Sequence, residues 1–211
     1  MVAVDGPAAS GKGTLAVRLG QALGLPVLDT GLLYRAVGVG VGPGNEEDEA
    51  ACVSIAQDLD IISLDNPDLR SREAGEAASR VAVHPGVRLA LLALQRRFAG
   101  RAGGAVLDGR DIGTVIAPEA AAKLFVTATP EVRAARRWRQ LSDQGQSVAL
   151  TDILADIRRR DARDFARAAA PLAAAADAVL LDTSDMAIDE VFDVARRIVE
   201  TARARWEKSH R

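Results

Sequence analysis

The chain has 211 residues, 48% of them hydrophobic and 27% charged, with a formal net charge of −2. That length holds one α/β domain with room for an inserted subdomain, and the near-neutral balance excludes a general polyanion-binding surface, so any basic site is local. A single cysteine, Cys52, and two histidines, His84 and His210, leave no disulfide framework and no Cys- or His-based zinc site, and they argue against a Ser-His-Asp hydrolase. No apolar run is long enough to span a membrane and the start lacks a basic n-region, so the expected compartment is the cytoplasm.

The first predicted element is a short apolar strand, Met1 to Asp5, followed by Gly6-Pro7-Ala8-Ala9-Ser10-Gly11-Lys12-Gly13-Thr14 and then a helical pattern. Strand, glycine loop and helix in that order form a phosphate-binding device. Gly6 and Gly11 let the backbone turn its N–H groups into one concavity, and the helix adds its positive end. Lys12 brings a mobile charge for the β- and γ-phosphates of a nucleotide. The chain has only three lysines, Lys12, Lys123 and Lys208, so one in this loop is not incidental. After the lysine comes Gly13, with the hydroxyl one place later at Thr14, so a direct Ser/Thr ligand to Mg²⁺ at the usual position is missing.

Leu15, Leu19, Ala22 and Leu23 give that helix its apolar stripe, and Gly24 ends it. Leu25 to Leu28 reads as a strand. Asp29-Thr30-Gly31 opens a helix, with Thr30 as its candidate N-cap or as a pocket residue. Residues 38–45 carry four glycines and Pro43, a loop. A helix over 46–59, a strand over 60–64, a partly helical stretch over 70–83 and a helix from Pro85 to Phe98 follow. Parallel-strand patterning resumes only after 100, so 38–100 reads as an inserted lobe.

Val106-Leu107-Asp108 is an apolar strand ending in a carboxylate, either a cap for the next turn or the group that orients a metal's water shell beside a nucleotide. Gly109-Arg110-Asp111-Ile112-Gly113-Thr114 follows as a loop. After a strand at 123–128, Pro130 opens a helix whose Arg133, Arg136 and Arg137 share one face, either a solvated surface or a stripe closing over phosphates. A helix over 152–165 carries Arg160 and Asp164, with Arg167 in step on a continued helix. These form a salt-bridge ladder or a grip for phosphate and sugar. Asp177 to Asp182 is the last strand, and Thr183-Ser184 caps a helix over 186–206. Alternation of strand and helix outside the insert predicts a parallel sheet covered on both faces.

Four stretches taken together resemble the bacterial cytidylate kinases of the nucleoside monophosphate kinase family: residues 6–14; Leu28-Asp29-Thr30-Gly31-Leu32-Leu33-Tyr34-Arg35; Asp108-Gly109-Arg110-Asp111-Ile112-Gly113-Thr114-Val115; and Arg160-Asp161-Ala162-Arg163-Asp164 with Arg167 and Ala170-Pro171-Leu172. The resemblance runs in register from residue 2 to about 190. It implies an α/β phosphate-loop NTPase core (1–37 and 101–211), an inserted monophosphate-binding lobe (38–100) and a short helical lid (about 133–160). It further implies that Asp111, Ser79 and Arg88 read cytosine, that Arg35 and Arg110 hold the α-phosphate, and that Arg160, Asp164 and Arg167 hold ribose and phosphate. Thr30 would line the same pocket. Arg133, Arg136 and Arg137 would reach the phosphates in flight, catalysing the transfer together with Lys12 and Arg110. Phe165 departs from the small polar residue the family often has there.

The expected reaction is γ-phosphoryl transfer from ATP to CMP or dCMP. Mg²⁺ would be held through phosphates and water, with Thr14 and Asp108 acting indirectly. The expected partners are these small molecules, with neither nucleic acid nor membrane, and the expected state is a monomer. Two rivals stay open on the residues alone: a phosphate-loop kinase of UMP or a shikimate-like acceptor, and a non-catalytic nucleotide switch.

Overall fold

Runs such as Val2-Ala3-Val4 and Ala105-Val106-Leu107 are apolar at every position, as strands covered on both faces must be. The protein is described from a computed structural model that covers residues 1–209, the side chains of 62 and 63 aside. Five strands, β1 (Val2–Asp5), β2 (Val27–Asp29), β3 (Val106–Gly109), β4 (Ala122–Thr127) and β5 (Val179–Asp182), form one sheet in the order β2-β3-β1-β4-β5. Every pairing is parallel. The α/β core expected from the sequence is therefore present, with β1 at its centre and the glycine loop leaving its C-terminal end.

Successive residues of a strand point to opposite faces, and the core divides accordingly. Val2, Val4, Val106 and Leu124 pack on one face with Leu15 and Leu19 of α1 (Lys12–Leu23) and with Val191, Ala195 and Val199 of α8 (Ile188–Ser209). Ala3, Leu28 and Leu107 face the other way, onto Leu33 and Val37 of α2 (Thr30–Val41). The same cluster takes in Cys52 of α3 (Glu49–Gln57), Val81 of α4 (Arg72–Val81) and Val87 and Leu91 of α5 (Pro85–Ala99). The segment 38–100 thus shares the core of the sheet. Beyond the C-terminal ends of the strands, α6 (Pro130–Asp143) and α7 (Leu150–Ala166) form a hairpin with a small core of Ala134, Leu141, Ile153 and Ile157.

Several local expectations change. The predicted strand at 60–64 is a 3-10 turn, Ile61–Asp65; the segment lies between α3 and α4, where among the described residues no neighbouring strand offers a ladder. The predicted loop over 38–45 begins later, because α2 runs on to Val41 and the glycines Gly38 and Gly40 press against Ala77 and Ile55. Thr30 is not the cap of α2. Asp29 is, its Oδ1 accepting from the Gly31 N–H at 2.9 Å. Helix α8 starts at Ile188, after Ser184 has bonded back to Asp182.

Leu107 is fully buried in β3 between β2 and β1. Leu107→Ala should lower unfolding free energy by about 2–5 kcal/mol, checked by urea titration with an unchanged slope.

Candidate active site

The site is built at the C-terminal ends of β1 and β3. Asp5, the last residue of β1, is buried and accepts the N–H groups of Ile112 and Gly113, each at 2.8 Å. That contact ties the loop after β3 to the central strand. Burial pushes the Asp5 carboxyl up to about 6, against the pull of those two N–H groups. The chain then turns at Gly6, with φ +150; a Cβ there would lie 2.0 Å from the Val126 carbonyl oxygen, so no other residue fits. Ala9 takes a left-handed φ of 59, a conformation that costs a non-glycine residue about 1–3 kcal/mol. Among the described residues the buried hydroxyl of Ser10 has no hydrogen-bond partner.

Lys12 opens α1 and lies buried, its Nζ 3.5 Å from Asp108 Oδ1. That oxygen has no hydrogen bond. Burial, and then repulsion from Arg110, lowers the Lys12 ammonium, while burial raises Asp108 to about 7 against the attraction of Lys12. Both charges are thus held at a cost, and an anion beside Lys12 would relieve the lysine's share of it. Gly13 explains the departure in the loop pattern: a Cβ there would sit 3.0 Å from Asp108 Oδ2. The place next to the lysine is taken by a carboxylate from β3, so the hydroxyl has moved on to Thr14, which is exposed and faces the cleft.

A cleft of about 720 Å³ runs from this loop between the helical hairpin and α4, within the range for small-molecule sites. Arg35, Arg110 and Arg160 converge on it. Arg35 is steadied by the carbonyls of Leu69 (2.7 Å) and Ser71 (3.1 Å), and Arg110 by Asp164 (3.0 Å). Arg160 has its Nε buried and unpartnered. Burial lowers Arg35 and Arg160 to about 10 each, and for Arg160 the neighbouring Arg110 and Arg35 add to the effect. Like charges collected at a buried place mark an anion site.

Farther in, Arg88 pairs with Asp111 and lies over the Tyr34 ring, 5.5 Å from its centroid. Ser79, on α4, presents a buried hydroxyl with no partner. Helix α7 ends before Arg167, yet that side chain turns back to Asp164 at 3.4 Å. So Arg160, Asp164 and Arg167 do share one end of the cleft, although a continued helix is not what brings them together. Thr30 is buried, its hydroxyl donating to the Asp108 carbonyl at 2.8 Å.

The arginines of α6 divide. Arg137 faces the cleft and bonds Gln140 at 2.7 Å. Arg136 also faces it while bonding Thr183 O (2.6 Å), Thr183 Oγ1 (2.9 Å) and Ser10 O (3.3 Å). Arg133 does not reach the cleft with its neighbours. Its guanidinium is buried behind the phosphate loop, forked onto Asp161 at 2.6 and 3.0 Å and bonded to Ala8 O and Ala128 O. Shared helix periodicity put the three together; the core side of α6 took the first. Sequence reasoning missed Asp5, Tyr34, Thr183 and Asp161 as site-builders. Asp161 and Tyr34 carried a signal, lying within the Arg-Asp-Ala-Arg-Asp and Leu28 to Arg35 runs; the side-chain partners of Asp5 and Thr183 are 47 to 173 residues away in sequence.

A glycine loop with a buried lysine after the central strand, and a second cationic site across the same cleft, define a phosphate-loop kinase. More narrowly, the chain belongs to the cytidylate kinase family, whose model, described as "Cytidylate kinase", matches residues 2–202. Similar proteins named cytidylate kinase occur in Caulobacter sp. (strain K31), 65% identical over 208 residues that span 98% of this chain and 96% of that one. Others are found in Caulobacter vibrioides (strain NA1000 / CB15N), 64% identical over 97% of each chain, and in Xanthobacter autotrophicus, 63% identical over 97% of this chain and 99% of the other. Among the described residues no single helix is long and apolar enough to cross a membrane.

The raised Asp108 carboxyl carries a sign. Between its ordinary 3.8 and about 7 the folded state binds more proton than the unfolded one, so this contribution to stability is present at low pH and is lost as pH rises through that window. Asp108→Asn should flatten the dependence: the stability of the native chain relative to the variant falls from pH 4 towards pH 7 in parallel denaturant titrations.

Proposed function

We propose that the chain transfers the γ-phosphoryl group of ATP to CMP or dCMP, giving ADP and CDP or dCDP. The observation that carries this is the pair of facing anion sites in one cleft: Lys12 with the glycine loop, and the Arg35, Arg110 and Arg160 cluster with its unpartnered guanidinium nitrogen. Donor phosphates lie on residues 6–14, whose N–H groups and helix end suit them. The acceptor's phosphate lies on Arg35, Arg110 and Arg160, whose planar forks match phosphate oxygens. Asp164 and Arg167 hold the sugar, and Thr30 lines the pocket.

Asp111 accepts the exocyclic amine of cytosine, with Ser79 and Arg88 completing the base contact. Uracil would set a carbonyl oxygen against the same carboxylate. The Ser79 hydroxyl, unpartnered among the described residues, and the Arg88–Asp111 pair, with Arg88 over the Tyr34 ring, support this reading.

In-line transfer asks the protein for position, charge and dryness, not for a nucleophile. Lys12 neutralises the transferring group, Arg136 and Arg137 approach it from the hairpin, and Arg133 supports the loop through Ala8 from behind. The α6–α7 hairpin acts as the lid that keeps out water, which would otherwise accept the phosphoryl group. Mg²⁺ fits as an ion carried by the phosphates: among the described residues no cluster of three acidic, His or Cys side chains could hold a metal, while Asp108 Oδ1 is buried and unbonded. Asp108, with Thr14 nearby, would orient its water shell, and the ion would neutralise phosphate charge. A cytoplasmic monomer completes the proposal.

The test is ADP release from ATP–Mg²⁺ with CMP, dCMP, UMP, AMP, GMP and shikimate in turn. The expected result is strong turnover with CMP and dCMP and little with UMP; turnover confined to another acceptor overturns the base assignment. Asp111→Asn narrows the ratio of kcat/KM for CMP over UMP, and an unchanged ratio removes Asp111 from base reading. Lys12→Ala lowers kcat by about 10²–10³ in a protein that still melts cooperatively.

A further inference from the structure

Helix α4, from the 38–100 segment, faces α7 of the hairpin across the acceptor end of the cleft. Two ion pairs of opposite polarity join them. Arg72 of α4 donates to Asp156 of α7 through Nε at 2.7 Å and again through Nη2. One turn on, Glu76 of α4 accepts from Arg163 Nη2 of α7 at 2.5 Å. Reversed polarity fixes the register, since a shifted docking sets like charges together. None of the four side chains lines the main cleft.

What they bracket is the acceptor site. Arg160 lies between Asp156 and Arg163 on α7, within one turn of each. On α4, Gly75 lies between Arg72 and Ser79, and its Cβ position is 3.2 Å from Arg35 Nη2 and 3.4 Å from Arg160 Nη1. The helix is bare there, and two guanidiniums rest against its backbone. Those two and Arg110 repel one another while no anion is present, which drives the segment and the hairpin apart. The two ion pairs pull in the opposite sense.

We propose that Arg72–Asp156 and Glu76–Arg163 form a clasp that holds the 38–100 segment closed on the hairpin, making these four residues positioning residues for the acceptor monophosphate. They act through Arg160 and Ser79 and touch no substrate. The proposal rests on the acceptor reading above. Loosening the clasp lowers the fraction of molecules in the closed form, and apparent acceptor affinity falls in proportion. At saturating acceptor its own phosphate draws the arginines together, so kcat moves little. The donor loop lies on the other side of the cleft, so KM for ATP holds.

The experiment measures KM and kcat for CMP and for ATP in the native chain, E76R, R163E and the exchanged pair E76R/R163E, with thermal melts alongside. The expected result is a rise in KM for CMP of about five- to tenfold in each single variant, with kcat and KM for ATP within about twofold of native, and recovery in the exchanged pair. E76Q and R163Q, which delete the pair without creating repulsion, move KM the same way and less far; they decide the matter if a charge reversal fails to fold. Unchanged KM for CMP in the folded single variants overturns the clasp, as does a rise that the exchanged pair does not reverse. A native chain that does not phosphorylate CMP instead overturns the function proposed above, independently of the clasp.

Discussion

Lys12, at the start of α1, and Asp108, near the C-terminal end of β3, face each other, both buried, and the rest of the site is arranged around that contact. Removing two charges from water costs several kcal/mol per ion even after relaxation, and a single long contact does not repay it. The pair persists because β3 places Asp108 and the glycine loop leaving β1 places Lys12 there. The register sets Asp108 opposite Val4 and Gly109 opposite Asp5, one residue before the loop turns at Gly6. The arrangement stores an unsatisfied demand for charge: a lysine pressed towards neutrality and a carboxylate oxygen with no donor. In the proposed function, polyphosphate with its counter-ion answers both at once.

The arginines make the same point on a larger scale. Some are consumed by the protein. Arg133 is bonded through all three guanidinium nitrogens behind the loop, and Arg136 spans from Ser10 to Thr183, so that a helix of the hairpin is stitched to the loop and to the segment after β5. Others, Arg35 and Arg160, are half-buried beside the cleft, Arg160 with an Nε that has no acceptor among the described residues, and in the proposed function they answer to a ligand. A guanidinium suits both tasks, because its fork of donors is rigid and its charge survives burial. Stability and binding draw on the same residue type, and only the neighbours of each arginine tell the two roles apart.

Differences between expectation and structure follow one pattern. Segments whose conformation depends on near neighbours came out as read: the glycine loop, the apolar strands beside it, the helical stripe of α1 and the helix opened by Pro85. Segments that depend on a distant surface did not. Residues 60–64 had the composition of a strand but, among the described residues, no strand beside them. Arg133 had the same periodicity as Arg136 and Arg137 but faced the core. Arg167 reached its place by leaving the helix, not by continuing it.

By itself the sequence determined the phosphate loop, the parallel α/β core and the family, because each is written in contiguous motifs whose physics is local: glycine where φ is positive, a lysine at a helix start, apolar runs of strand length. The tertiary structure alone decided why Gly13 stands where a hydroxyl is usual, that Asp5 ties the loop after β3 to the central strand, which arginines are free, and that α4 and α7 are joined by ion pairs. These are contacts between residues far apart in the chain, with partners set by strand register and helix packing. No local pattern of residues encodes a distance across the cleft.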